Sequence, residues 1–312
     1  MITKVLIIGL GNIGLLYDFN KKNMQLTHST AFFNNKSFKL IGGVDKSKNK
    51  INLFKKKFNT EVFTEIGHAL EKLSPDIIVI STETDKHLKI INEIFLYKNN
   101  CKMIICEKPC GKSLIEIKKI DKISKKNECK IFVNYMRVSS QHALYLKKFS
   151  NSNKEYFRGV SYYTKGILND ASHYINLFQF IFGNVIKIKN DVYKSQNSKI
   201  NNFTLFFKNG EIKFICLNNL SYNNSKFEIY FQKNMIYYNS DQNILKIFNI
   251  INNKIYGNKI INKKSKKTFN LGFKDIQSDV VKQILKMKKN KNYHLIEIKE
   301  AIKTMEIINK LK

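Results

Sequence analysis

The chain has 312 residues, 43% of them hydrophobic, and a formal net charge of +31. That length buries a sizeable core and favours two domains; no apolar run approaches the roughly 20 residues that cross a bilayer. The charge is nearly all lysine spread over every segment, with arginine only at Arg137 and Arg158, which argues against a specific nucleic-acid reader and leaves a diffuse field attractive to anionic ligands.

The first element is a strand. Lys4-Val-Leu-Ile-Ile runs straight into Gly9-Leu-Gly11-Asn-Ile-Gly14, the order of buried strand, glycine turn and helix start that a dinucleotide site needs. Gly9 turns the chain, Gly11 lets a pyrophosphate approach the backbone, and Gly14 lets the helix lie close on the sheet. The helix N-terminus then offers free N–H groups to phosphates. Asn12 and Ile13 belong to this cofactor loop. The polar stretch from Leu15 to about Thr27 reads as a loop near the cofactor, with helical periodicity resuming over 28–33. A second strand, Phe38 to Val44, ends at Asp45, placed to accept hydrogen bonds from ribose hydroxyls. A basic helix over 47–58, a strand at 61–63 and a helix to 73 follow. Pro75-Asp-Ile-Ile-Val-Ile-Ser81 reads as a buried parallel strand. A helix over 85–98, a strand at 102–105, a helix over 113–126 and a strand at 130–134 complete a right-handed parallel unit.

From about residue 155 long strand-like segments appear (155–165, 184–194, 200–208, 211–219, 226–239), which predict an antiparallel sheet. A helix over 170–182 interrupts them, 249–268 reads as a loop or weak hairpin, and helices over 273–288 and 297–311 finish the chain. The expected fold class is α/β: a Rossmann-type doubly wound parallel sheet (1–135, dinucleotide-binding), then an α+β domain with a mainly antiparallel open-faced sheet (136–312, substrate binding and oligomerisation). The C-terminal helix is a candidate to pack back on the first domain. The five cysteines, odd in number and with no secretory signal, predict reduced thiols and a cytoplasmic protein. Cys101, Cys106 and Cys110 match no zinc spacing, so structural thiols and no metal site are expected.

Four clusters fall where strands of the first domain end, the place where open α/β sheets bind ligands: Gly9–Gly14, Asp45, Ser81-Thr-Glu-Thr-Asp-Lys-His87, and Cys106-Glu-Lys-Pro109. With Asn134-Tyr-Met-Arg137 and Gly166-Ile-Leu-Asn-Asp-Ala-Ser-His173, they resemble the Gfo/Idh/MocA family of nicotinamide-dependent oxidoreductases over nearly the whole chain. The insert ending Leu26-Thr-His28 looks like a subgroup found in surface-glycan gene clusters. The resemblance implies that Lys108, beside Glu107, lies next to the nicotinamide and the reacting carbinol, that Pro109 is cis, and that His173 is the general acid/base. Many members carry Asp four residues before that histidine; here Asn169 stands there, with Asp170 next to it as the substitute candidate. Ser81, Thr82 and His87 fall on the motif that lines the nicotinamide half, with Glu83 and Thr84 departing from it; a helix N-cap is the alternative for Thr82. Arg137 and Lys165 are candidates to hold a substrate carboxylate or phosphate, an interdomain salt bridge being the alternative for Arg137.

Asp45 favours NAD, while Lys46 and Lys48 leave NADP open. The expected activity is hydride exchange between NAD(P)(H) and a hydroxyl or keto carbon of a sugar, cyclitol or nucleotide sugar, by a homodimer or homotetramer. Partners beyond the small-molecule substrate, whether membrane or specific nucleic acid, are not expected. The rival is a non-catalytic NAD-binding sensor or scaffold of the same fold.

Overall fold

The computed structural model describes residues 2–195, 198–217 and 220–311. The chain forms two compact units, one of Met1–Ser139 with Phe273–Glu306, the other of Ser140–Gly272 with Ile307–Lys312.

The first unit alternates strand and helix: β1 (Thr3–Ile8), α1 (His28–Phe33), β2 (Phe38–Val44), α2 (Lys48–Phe58), β3 (Glu61–Phe63), α3 (Ile66–Lys72), β4 (Ile77–Ile80), α4 (His87–Ile94), β5 (Met103–Cys106), α5 (Leu114–Lys126) and β6 (Lys130–Val133). These strands lie in the order β6-β5-β4-β1-β2-β3, all parallel, the doubly wound arrangement with its switch between β1 and β4. The apolar residues of β1, β4 and β5 are buried on both faces, as helix-covered parallel strands must be. In α2 the side chains of Ile51, Phe54 and Phe58 recur at helical spacing and enter the core, and the helix ends on Asn59 in the left-handed region. Ser113 caps α5 through the Glu116 N–H at 3.2 Å.

The glycine turn leads into a loop and helix resumes at His28, as the sequence predicts. Leu15 and Leu16 N–H close one turn onto Gly11 O at 2.8 and 3.1 Å, and a short 3-10 turn covers Leu16–Asp18. The chain then loops out before α1 begins at His28, whose N–H donates to Ile13 O at 3.0 Å, while Ser29 N–H donates to Gly14 O at 3.3 Å. In an unbroken helix those carbonyls would receive residues 17 and 18. Residues 17–27 are therefore an insertion within a helix that stops and resumes.

The second unit holds α6 (Gln141–Ser152), β7 (Phe157–Tyr163), α7 (Ser172–Phe182), β8 (Lys187–Ser195), β9 (Ser198–Phe207), β10 (Gly210–Cys216), β11 (Lys226–Tyr230), β12 (Asn234–Asn239), β13 (Ile244–Asn252), β14 (Lys259–Ile261) and β15 (Lys267–Asn270). The main path runs β14-β13-β12-β11-β7-β10-β9-β8, with β15 on β13. Two expectations need correction, and one helix is new. Segment 226–239 is a hairpin of β11 and β12 rather than one strand, turned by Phe231 N–H to Asn234 O at 2.8 Å. Strands β7 and β10 pair parallel, which the long crossover through α7 permits. Helix α6, capped by Ser140 on the Ala143 N–H, is not among the predicted elements. The expected extension of β10 to residue 219 reaches beyond the described residues.

The sheet alternates cleanly. Phe157, Ser161, Tyr163, Ile212, Phe214, Phe227 and Ile229 are buried, whereas Arg158, Val160, Tyr162, Glu211, Lys213, Glu228 and Tyr230 on the other face are not. Phe178 of α7 lies edge-on to Phe227 and Phe214, at 5.0 and 5.8 Å between centroids. Each such aromatic contributes about 2–3 kcal/mol by leaving water.

Beyond β15 the chain returns to the first unit. There α8 (Ile276–Lys288) packs Val280, Val281 and Ile284 into the same core as Val5, Phe54, Val79 and Phe132. The two-residue strand β16 (Ile296–Glu297) adds antiparallel to β6 and makes a seven-stranded sheet, and α9 (Ile298–Leu311) follows.

Candidate functional site

Each strand of the first unit hands its ladder on by one residue at the C-terminal end. Gly9 N–H reaches Val44 O (2.8 Å), Ser81 N–H reaches Ile8 O (2.8 Å), Glu107 N–H reaches Ile80 O (2.9 Å) and Asn134 N–H reaches Cys106 O (2.8 Å). The sequence-predicted clusters thereby stand side by side along one edge of the sheet. The glycines answer to different neighbours. Gly9 has φ +94°, and a Cβ there would lie 2.8 Å from Ser81 and Thr82; a Cβ on Gly14 would lie 2.1 Å from Gly9 O. A Cβ on Gly11 meets nothing within 4 Å, so protein packing does not require glycine there and the space stays open for a ligand. Among the described residues, the N–H groups of Gly11, Asn12, Ile13 and Gly14 donate to no backbone carbonyl, a set of donors suited to phosphate oxygens.

Asp45 accepts from Leu10 N–H and from Ser47 N–H, each at 2.8 Å, with Lys50 Nζ 3.7 Å away. It braces the glycine turn against the end of β2 and keeps lone pairs to spare. A cleft of about 700 Å³ opens here, lined by Gly9, Val44, Asp45, Ile66, Thr82 and Ile90 among others, a size typical of nucleotide-binding pockets. Lys46 lies on its rim, paired with Glu65 at 2.5 Å, and its hydrogen bond and charge hold the Glu65 carboxyl below its ordinary range. Ser81 donates its hydroxyl to Gly9 O at 2.7 Å. Thr82 does not cap the following turn; its buried Oγ1 has no hydrogen-bond partner. Open space at Gly11, unspent N–H groups and this orphaned hydroxyl all fit a dinucleotide.

His87 departs from expectation. Its ring is fully buried, with Nδ1 at 3.1 Å from Pro109 O and Nε2 at 3.0 Å from Thr82 O. It ties two loops together from behind instead of lining a ligand surface. Burial pushes its pKa down, against the opposing pull of the Thr82 carbonyl and the Glu107 charge.

Glu107 and Lys108 follow β5, and the Lys108–Pro109 peptide is cis. Glu107 Oε1 accepts from His28 Nε2 at 2.7 Å and Asn134 Nδ2 at 2.6 Å, and Oε2 accepts from the Lys108 N–H at 3.3 Å. Burial pushes Glu107 up, but His28, Asn134 and Lys108 outweigh it and leave the carboxyl below its ordinary value. Lys108 is half-buried. Arg137, also half-buried, lies with its guanidinium 5.8 Å from the centre of the Phe273 ring.

On the second unit Gly166, at φ +76°, starts a π-helical turn over Ile167–Ala171 that leads into α7. Lys165 and Asn169 are exposed there, while His173 in the first turn of α7 is 8% exposed. Asp170 is not a free base. It is buried, and its Oδ2 accepts from Thr164 N–H and Ser225 Oγ, both at 2.9 Å.

Residues 3–135 match the model of the Gfo/Idh/MocA oxidoreductase family, NAD-binding Rossmann fold. The first unit thus carries the NAD-binding Rossmann fold of the Gfo/Idh/MocA oxidoreductases. Its cofactor is NAD(P), and the family it matches is one of oxidoreductases. A dehydrogenase from Chromobacterium violaceum is similar in fold with TM-score 0.78 and 10% identity, over 99% of this chain and 94% of its own. An oxidoreductase from Agrobacterium radiobacter, solved with NAD+, L-tartaric acid and magnesium, gives 0.72 and 13%, over 99% and 95%. UDP-N-acetylglucosamine 3-dehydrogenase GnnA from Acidithiobacillus ferrooxidans gives 0.73 and 12%, over 100% and 97%. No curated protein matches in sequence.

Three buried polar residues join this candidate site: His28 and Asn134, which the sequence shows only as parts of longer motifs, and Gln277, which accepts from Asn134 Nδ2 at 3.2 Å. Asn134 was legible as the residue ending β6. Gln277 comes from a distant helix and carries no local signal.

Proposed function

We propose that this Gfo/Idh/MocA oxidoreductase acts in the cytoplasm on a hydroxyl or keto carbon of a sugar, cyclitol or nucleotide sugar. The observation that carries the reading is the loop after β5, where a fixed, half-buried carboxylate, Glu107, is followed directly by Lys108 at the ligand-binding edge of a Rossmann sheet. The five free cysteines suit a reducing compartment. GnnA, similar in fold, takes a nucleotide sugar.

Gly9, Gly11, Asn12, Ile13 and Gly14 would hold the pyrophosphate, Asp45 the adenosine ribose, and Ser81, Thr82 and Glu107 the nicotinamide half, with His87 behind them. When bound, NAD(P) supplies the hydride acceptor or donor. Lys108 would stabilise negative charge developing on the carbinol oxygen. His173 would take the hydroxyl proton as general base. Arg137, Lys165 and Asn169 would orient polar groups of the substrate. The open face of the second unit's sheet would pair copies into a homodimer or homotetramer, a size that light scattering measures.

A second reading has its own support. Asn169 cannot take a proton, and Asp170 is committed to Thr164 and Ser225, as a non-catalytic NAD-binding sensor would allow. Lys108→Ala separates the two. An enzyme should lose about a hundredfold or more in turnover on the best substrate of a panel of nucleotide sugars and cyclitols while still binding NADH. A wild-type chain that binds NADH and turns over no panel member supports the sensor.

A further inference from the structure

We propose that His28 is a positioning residue for the nicotinamide end of the cofactor site, acting through Glu107; this rests on the dinucleotide reading above. Its main chain and side chain join two separate parts of that site. The His28 N–H donates to Ile13 O at 3.0 Å, within the glycine turn. Its imidazole Nε2 lies 2.7 Å from Glu107 Oε1, in the loop that presents Lys108. The pair is secluded: the His28 side chain is 2% exposed and that of Glu107 14%. A histidine at 28 gains this reach because the helix interrupted after the glycine turn resumes there, seating α1 on the carbonyls of Ile13 and Gly14. The looped-out segment is thus the means by which an aromatic donor, distant in sequence from the glycines, enters the sheet's ligand-binding edge.

The arrangement fixes which oxygen of Glu107 faces which way. Oε1 is held by His28 and Asn134, and Asn134 is held in turn by Gln277. That leaves Oε2 on the side of the Lys108 peptide N–H. A carboxylate fixed by two donors on one oxygen presents the other in a single orientation, and preorganisation of this kind lowers the entropic cost of binding a hydroxyl. Without the imidazole, a half-buried carboxylate loses a charge-assisted partner and must rotate or recruit water. Among the described residues, the adenosine cleft at Gly9, Asp45 and Ile66 shares no hydrogen bond with this group, so the two ends of the cofactor should respond differently.

The test compares NADH with ADP, which lacks the nicotinamide half, as ligands for the full chain by calorimetry and fluorescence titration. His28→Ala should weaken NADH about tenfold or more and leave ADP within about twofold, and His28→Gln, which keeps a neutral donor of longer reach, should recover most of the loss. Where the alanine variant fails to fold, His28→Gln is set against His28→Asn, whose shorter amide should leave NADH weakened. Equal weakening of NADH and ADP would mark His28 as structural and overturn the proposal, as would unchanged NADH binding or a glutamine variant as weak as alanine. A wild-type chain that binds neither ligand would instead defeat the dinucleotide reading itself.

Discussion

Gly11 and Gly14 sit three residues apart and should fail in different ways. A methyl group on Gly14 would collide with Gly9 O at 2.1 Å and approach Ser81 Oγ at 2.9 Å, so Gly14→Ala must move backbone and should cost about 3 kcal/mol or more. On Gly11 the same methyl group touches no protein atom within 4 Å. Gly11→Ala should therefore leave the melting temperature unchanged while cutting NADH affinity at least about tenfold, because the added carbon takes space meant for phosphate. A Gly11→Ala variant that binds NADH normally would mean the pyrophosphate lies elsewhere. His87 makes a prediction in pH. Burial lowers its folded pKa below the ordinary 6.5, so the unfolded chain binds the proton first and stability falls as pH drops from 6.5 toward the folded value. His87→Gln should flatten that part of the melting-temperature profile relative to wild type. Parallel profiles would show that the ring protonates freely when folded.

Among the elements, the insertion of residues 17–27 is held by one carboxylate. Asp18, fully buried, accepts from Leu26 N–H (2.7 Å), Thr27 N–H (3.0 Å), Thr27 Oγ1 (2.8 Å) and Thr30 Oγ1 (2.9 Å), with Lys57 Nζ at 3.7 Å. Removing it strands several buried donors and a cation. Asp18→Ala should cost about 3–5 kcal/mol in urea unfolding, read as a lower midpoint at unchanged slope. A loss below about 1 kcal/mol would mean that water replaces the carboxylate. Most strands and helices of the first unit were legible because a buried parallel strand is a continuous apolar run, as in Ile77–Ile80. The hairpin in 226–239 was not, because Phe231-Gln-Lys-Asn234 has no glycine, proline or Asn-Gly to mark its turn. Strand β16, two residues long, is defined by its partner β6 alone.

For the whole molecule, the net charge of +31 is a long-range property that fold and site do not use directly. It should steer the anionic cofactor. Raising ionic strength from about 0.01 to about 1 M shortens the Debye length from roughly 30 to roughly 3 Å and should slow NADH association about tenfold, with dissociation little changed, in stopped-flow fluorescence. An association rate indifferent to salt would leave the lysines no part in capture. Binding to duplex DNA should be weak, independent of sequence and steeply reduced by salt.

By itself the sequence determined the parallel sheet, the glycine turn and the place of Asp45, because each is written in neighbouring residues whose periodicity or backbone demands are local, and the Glu107-Lys108-Pro109 loop stood out through its resemblance to a family motif. Tertiary structure decided which carboxylates are occupied and which imidazoles are hidden. Asp170 is held by Thr164 and Ser225, His87 lies between two carbonyls, and Glu107 is fixed by His28 and by Asn134, which Gln277 holds in turn. Partners up to 143 positions apart in the chain meet only when the sheet and its helices assemble, and a hydrogen bond leaves no periodic trace in the residues that share it.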